Sequence, residues 1–344
     1  MSENVMSLER QHQHLQNVSR TFALTIPLLP ECLTDCISNC YLLCRIADTI
    51  EDDPLASTDK KIAWLKDFAY FASNGFKDEM TILSLHKQAV TLVEKGAKPQ
   101  EFDLIKDMPA VIARTVTFNA RHLSAIKRCV SILCMGMARE LKGITINSLD
   151  DVDTYCYYVA GVVGEALAAL FSSVDSQVDE KKLMSLSVSF GEGLQLTNIL
   201  KDRLEDAQRG ASFLPAVESE GVPNQDQQYI ALTLGHLTDA LNFTCCIPSK
   251  HKGIRFFCYL NIAMAVATLR KIRNKQINGQ KRIKISRKTV KTLFILSKIF
   301  AKSNVLLRIL FAILSTGLPK TPRNALKLRE KVSYWEKDFR NILE

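Results

Sequence analysis

Two short acidic runs of nearly the same design, Asp48-Thr-Ile-Glu-Asp52 and Asp202-Arg-Leu-Glu-Asp206, lie 154 residues apart. In each, the outer aspartates are four residues apart, so a helix sets them one turn above each other on a single face. Asp53 adds a further acid to the first run. Like charges gathered on one face repel, and a chain that builds such a face twice needs a cation to go with it. Mg²⁺ suits this role, because it takes oxygen ligands, keeps several waters and commonly joins one or two carboxylates to substrate phosphates. The pattern predicts two helices whose acidic faces look at each other across a cavity and handle a diphosphate.

The flanking residues extend the same faces. Tyr41, Arg45, Asp48 and Asp52 share one helical stripe. Gln195, Asn198 and Asp202 share another, with Lys201 on the adjoining row. Each motif therefore combines carboxylates with a cation that can touch phosphate oxygen directly.

The rest of the chain is built for helices. With 344 residues, 47% of them hydrophobic, it can bury one large core or two smaller ones. Only 14 glycines and 10 prolines interrupt it. Apolar residues recur at helical spacing, as in Trp64, Phe68 and Phe71 or Leu167, Leu170 and Phe171. There is no series of alternating strands joined by tight turns, and no repeat of fixed period. The expected fold is all-α, with one large helical domain over residues 1–286. A basic, apolar helical segment over 287–344 would pack on that domain or on a membrane surface. Ala216–Gln228, with Pro223, reads as a long loop able to close over substrate.

Charge is unevenly spread. The net charge is +9, yet Ala240 to Arg329 holds 20 lysines and arginines and no acid. Such asymmetry calls for an anionic partner. Nucleic acid is disfavoured, since no aromatic-interleaved basic motif or helix-turn-helix pattern is present. Lys291, Lys298 and Lys302 form one helical stripe, opposed by Leu293, Leu296 and Phe300, and Val305–Leu314 is apolar apart from Arg308. No uninterrupted run reaches the ~18–20 apolar residues needed to span a bilayer. Peripheral contact with an anionic membrane is expected, in competition with a core helix bearing a solvated basic face. The start lacks the charged, apolar and small-residue regions of a signal segment, and ten cysteines suit a reducing cytoplasm. Cys32, Cys36, Cys40 and Cys44 recur every fourth residue and read as small buried hydrophobes. The six histidines lack zinc-site spacing, and His12 and His14 read as surface residues.

Four blocks, in order, resemble the squalene/phytoene synthase family of trans-isoprenyl head-to-head synthases, especially bacterial-type squalene synthases. They are Ser19-Arg20-Thr21-Phe22, the Tyr41–Asp53 stretch YLLCRIADTIEDD, the Tyr155–Gly164 stretch YCYYVAGVVG, and the Gln195–Pro215 stretch QLTNILKDRLEDAQRGASFLP. The resemblance implies an isoprenoid-synthase helical fold with a central substrate cavity. It also implies an enzyme that joins two farnesyl diphosphates head to head through a cyclopropyl diphosphate. By the same resemblance Asp48, Asp52, Asp202 and Asp206 hold Mg²⁺, supported by Glu51 and Glu205. Ser19, Arg20, Phe22, Tyr41, Arg45, Gln195, Asn198, Lys201 and Arg209 line the substrate, and Arg20, Arg45 and Arg209 grip diphosphate. Lys201 stands where many relatives carry arginine; it keeps the charge but loses the two-pronged fork. Tyr155 would orient the leaving diphosphate and assist proton removal, with Tyr158 as the competing candidate. Gly161 and Gly164 fit either close approach beside the isoprenoid chain or helix packing.

The late stretch Lys271-Ile272-Arg273 is similar to a short run in squalene synthases, which makes Lys271 and Arg273 candidates for the 2′-phosphate of NADPH. The apolar Phe256–Asn261 block before it departs from the Asn-Asn-Gln-Gln stretch of eukaryotic squalene synthases. Product identity therefore stays open between squalene, made with NADPH, and dehydrosqualene or phytoene, made by proton loss. A non-catalytic scaffold of lipid synthesis is the remaining alternative. The Asp-Asp-x-x-Asp run typical of chain-elongating prenyltransferases and terpene cyclases is absent.

Overall fold

The first acidic run ends a helix, Glu31–Asp52, in the computed structural model, which describes residues 5–19, 21–208, 210, 212–215, 225–278 and 283–343. Pro30 precedes that helix and Pro54 follows Asp53, whose backbone is extended, as a residue before proline prefers. Among the described residues all regular structure is helical, with no strand. The chain folds into two compact units. The first comprises Met1–Ile144, Ala169–Val174 and Tyr334–Glu344; the second comprises Thr145–Ala168 and Asp175–Ser333. Arg287–Ser333 thus groups with residues on the other side of the expected 286/287 boundary.

In the first unit the Thr58–Ser73 and Ala120–Glu140 helices pack together, and the apolar stripe read from sequence is buried. The Trp64 ring stacks on Phe68 at 4.8 Å, and its indole N–H donates to the Leu85 carbonyl at 2.9 Å. Burying an indole costs little when its one donor is satisfied in this way. Cys36 and Cys40 are buried and Cys44 half-buried, as expected, but Cys32 is exposed near the helix start. His14 also departs from its surface reading. It is fully buried on the Leu8–Val18 helix because Asp107 supplies a partner, with Nε2 2.8 Å from the carboxylate. His12 is half-buried.

The second unit is organised around the long Glu180–Gln208 helix, which carries the second acidic run and packs against Gln225–Cys246 and Lys252–Asn278. The expected loop lies outside the described residues as far as 224, and from Gln225 the chain is already helical. Leu149–Ser172 is one continuous helix with a π-turn at Tyr157–Gly161, a feature that often marks functional sites. It starts with a reciprocal cap: Ser148 accepts from the Asp151 amide, and Asp151 accepts from the Ser148 amide. Ser148→Ala should cost about 1 kcal/mol, read as a lower thermal midpoint.

Gly164 and Gly191 explain how this helix meets the second-motif helix. A Cβ on Gly164 would lie 2.0 Å from the Ser187 carbonyl oxygen, and one on Gly191 would lie 2.1 Å from that of Ala160. At Gly161 the nearest neighbours are the Tyr157 and Val188 side chains. The glycines serve helix packing, the second of the two readings left open by the sequence.

Two helices, Leu149–Ser172 and Lys252–Asn274, are long and apolar enough on average to cross a membrane, although polar residues interrupt both. Their most apolar windows are 78% and 83% buried within the protein, as core helices are. The C-terminal helices Arg287–Phe300 and Asn304–Ser315 are anchored by buried Arg255, which donates to the Ala301 carbonyl at 2.5 Å and to Asn304 Oδ1 at 2.6 Å. Tyr259 adds a hydrogen bond to the Leu307 carbonyl at 2.9 Å.

Candidate functional site

The first unit gathers Ser19, Phe22, Tyr41, Arg45 and Asp48 into one continuous group. Ser19 closes the Leu8–Val18 helix, and its hydroxyl accepts from the Phe22 amide at 3.1 Å. The Phe22 ring packs on Tyr41 at 5.3 Å, and the Tyr41 hydroxyl donates to the Val18 carbonyl at 3.4 Å. Arg45 follows one turn later, 3.7 Å from Asp48 and in hydrogen-bonded contact with Glu101. Arg20 lies outside the described residues.

The carboxylates of this face are under electrostatic pressure. About a third of the Asp48 side chain meets solvent (35%). Even so, the protein around it withdraws enough water to push its carboxyl up to about 7, with Cys44, Asp52 and Glu101 adding to the effect and Arg45 opposing it. Glu51 is pushed well above the usual range by burial and by the neighbouring charges of Glu140, Asp48 and Asp52. Glu140, on the last turn of Ala120–Glu140, rises to about 7 through burial and Asp52. Asp52 is exposed. Glu101 and Glu140 were not found from sequence, because tertiary packing alone brings them to the motif. Asp53 plays a different part: it is buried and accepts from the Leu55 and Ala56 amides, both at 2.9 Å. It closes the turn after the helix.

The second unit carries the other face at the C-terminal end of Glu180–Gln208. Lys201 Nζ stands 3.0 Å from the Asp202 carboxylate and donates to Asn198 Oδ1 at 3.3 Å. Asp202 has 40% of its side chain exposed, Asp206 and Gln195 are half-buried, and Asn198 and Glu205 are exposed. Arg203, on the adjoining row, pairs with Asp226. Arg209 lies outside the described residues. Tyr155, on the Leu149–Ser172 helix, stacks on Phe213 at 4.9 Å and 19°, so its ring orientation is set by the segment just after the second motif. Tyr158 is buried, with its ring edge-on to Tyr157 at 5.6 Å. Tyr157 donates to Glu165 at 3.0 Å, and Glu165 also takes Arg329 and Ser333, each at 2.7 Å.

Lys271 and Arg273 hold the backbone carbonyls of Lys284 and Gly317 respectively. Residues two apart leave a helix on different sides, so these cations are not gathered at one point.

The model of the family described as Squalene/phytoene synthase matches residues 15–289. The chain belongs to that family. Among curated relatives, the squalene synthase of Schizosaccharomyces pombe is 28% identical over 293 residues, covering 78% of this chain and 60% of the relative. That of Mus musculus is 29% identical over 289 residues, covering 78% and 65%. The chain thus spans under two thirds of the length of these relatives. The squalene/phytoene synthase fold is likewise seen in TcSQS solved with a ligand, with a TM-score of 0.72 at 21% identity over 97% of this chain and 98% of that one.

As a family member, the chain can be asked whether its residues suit Mg²⁺. The donors on both faces are carboxylate oxygens, which hard cations prefer. Burial, with the neighbouring acids adding to it, raises Asp48, Glu51 and Glu140, and a divalent cation would compensate charge that water no longer solvates there. The residues fit.

Proposed function

We propose that this chain condenses two farnesyl diphosphates head to head, through presqualene diphosphate, to squalene. The observation that carries the reading is the crowded carboxylate face of Asp48, Glu51, Asp52 and Glu140, with Arg45 one turn away. Family membership supports it. Asp48 and Asp52 on one helix, and Asp202 and Asp206 on the other, would hold Mg²⁺, with Glu51 and Glu205 beside them. Mg²⁺, when bound, would supply neutralisation of the diphosphate charge that builds up as the allylic C–O bond breaks. Arg45 would give up part of its bond to Glu101 to take phosphate oxygen, and Lys201 would do the same from Asp202 and Asn198. Arg20 and Arg209 are further candidates for the diphosphate. Tyr155, with its ring fixed on Phe213, would hold the leaving diphosphate through its hydroxyl and hand it the hydroxyl proton while taking the one lost when the cyclopropane closes. Tyr158 remains the alternative for that proton.

NADPH is the proposed hydride source, with Lys271 and Arg273 as its candidate contacts. The divergent bonds of these two residues favour a second reading, in which the last cation loses a proton and the product is dehydrosqualene or phytoene. One incubation decides between them: the protein with farnesyl diphosphate and Mg²⁺, with and without NADPH, followed by mass analysis of the hydrocarbon. Squalene formed with NADPH consumption supports the first reading. Dehydrosqualene at saturating NADPH supports the second, as does phytoene in a parallel incubation with geranylgeranyl diphosphate, and no prenyl product from either substrate removes both.

Membrane contact belongs to the same proposal. Ile295 and Ile299, the latter 54% exposed, and Val305, Ile309 and Ile313 lie open on the two C-terminal helices beside exposed Lys291, Lys298, Lys302 and Arg308. Apolar side chains ringed by cations suit the surface of an anionic bilayer. Lys298→Ala should weaken binding to anionic vesicles by about 1 kcal/mol, roughly fivefold. Cosedimentation that ignores both this change and high salt would leave the isoleucines as ordinary solvated surface.

A further inference from the structure

Inside the second unit, away from the acidic runs, three ionisable side chains from three helices converge in the core. Asp153 comes from Leu149–Cys156, Glu192 from the middle of Glu180–Gln208 and His236 from Gln225–Cys246. Glu192 and His236 are fully enclosed and Asp153 nearly so. One potential ligand atom from each lies within 4.8 Å of the other two. The backbone is closely packed here: a Cβ on Gly193 would stand 3.1 Å from His236 Cβ on the next helix, and one on Gly235 would stand 2.0 Å from the carbonyl oxygen of Thr321, in the segment before the Ala325–Val332 helix.

With both carboxyls ionised the outer bonds of this cluster are made and the inner ones are not, although Asp153 and Glu192 lie close enough to hydrogen-bond through one shared proton. Arg323 Nη2 donates to Asp153 Oδ2 at 2.7 Å, leaving Oδ1 without a hydrogen-bond partner. Both oxygens of Glu192 and Nε2 of His236 are also buried without one. The nearest approach of His236 Nε2 to Glu192 Oε1 is 3.7 Å, too long for a hydrogen bond. On its other side His236 Nδ1 lies 3.2 Å from Ser189 Oγ, and the Asp239 carboxylate also interacts with that hydroxyl. An anionic carboxylate takes the single hydroxyl proton in preference to a neutral imidazole, so Ser189 Oγ accepts from Nδ1–H. The tautomer is then set, and Nε2 turns a bare lone pair toward the carboxylates.

With both carboxyls ionised, three lone-pair donors therefore face one another, where Arg323 bonds Asp153 directly and reaches Glu192, with Lys331, only through space. One proton can bridge two of them; a divalent cation serves all three. We propose that Asp153, Glu192 and His236 bind a divalent transition-metal ion of the zinc class, as a structural clamp separate from the diphosphate-handling Mg²⁺. Imidazole and carboxylate are an accepted zinc donor set, and bonds of about 2.0–2.2 Å need only a small inward movement of the three side chains. Ser189 and Arg323 act as the outer partners that orient the ligands. The clamp ties the tyrosine helix, the second-motif helix and the following helix together at one point.

The test measures metal content. Protein produced with added zinc and dialysed against Mg²⁺-containing buffer should retain about one zinc per chain. The Cys40, Cys44 and Cys129 thiols, which also cluster within 4.8 Å, are the competing site, so Cys129→Ser should keep the zinc and His236→Gln should lose it. Ser189→Ala should weaken zinc binding by about 10–100-fold. Cobalt-loaded protein should show visible bands without thiolate charge transfer, a readout that holds even if His236→Gln does not fold. The proposal is overturned if no zinc or cobalt is retained, if cobalt shows thiolate charge transfer, or if zinc survives His236→Gln.

Discussion

Replacing Asp48 or Asp206 by asparagine should lower the rate of hydrocarbon formation from farnesyl diphosphate by about 10²–10³-fold, or roughly 3–4 kcal/mol of transition-state stabilisation. Each change removes one anionic oxygen from a face that would hold cation against departing diphosphate. Folding should move the other way for Asp48. Its carboxyl titrates near 7 in the folded protein, against about 3.9 in the unfolded chain. The folded state therefore binds more protons between those values, and its stability falls as pH rises from about 4 to about 7. Without Mg²⁺, Asp48→Asn should flatten that decline, seen in thermal midpoints collected across the range. Full activity in both variants at saturating Mg²⁺ would remove the carboxylate faces from the mechanism.

Gly164→Ala should be severely damaging for a change of one methyl, costing about 3 kcal/mol or more. The added methyl would meet a carbonyl oxygen at 2.0 Å, and that oxygen belongs to helical backbone that cannot rotate away. Gly191→Ala poses the same problem at 2.1 Å. Gly143→Ala provides the contrast. Its backbone has φ +91° but nothing lies within 4 Å, so only conformational strain of about 1 kcal/mol applies. Denaturant midpoints for the variants separate the two causes, and equal losses at Gly164 and Gly143 would show that the helices can part.

The helical fold and both acidic faces were legible because each depends on a local repeat. The i, i+4 aspartates and the Trp64–Phe68–Phe71 stripe declare their faces within a few turns of chain. What escaped notice depends on packing between distant segments. Glu140 joins the first motif from a helix 88 residues further along, and no pattern around it marks it out. Glu192 and His236 look like ordinary polar interruptions until three helices bring them to Asp153. His14 reads as a surface residue because its partner, Asp107, is 93 residues away. Asp53 misleads in the opposite sense: it looks like a third motif aspartate, yet the following proline turns the chain and gives its carboxylate two amides to hold.

The π-turn at Tyr157–Gly161 fixes the length of its block. A wider turn takes up an extra residue, and each residue of an α-helix advances the azimuth by about 100°. Because the extra residue is already absorbed there, deleting one would restore regular winding with the two halves in phase, whereas inserting a further residue would put them out of phase. The Leu149–Cys156 half would swing by about that angle against the half that bears Gly164 and Glu165. Asp153 would leave Arg323 and Tyr155 would leave Phe213, although neither had been mutated. The block can thus tolerate exchanges of side chain far better than an added residue.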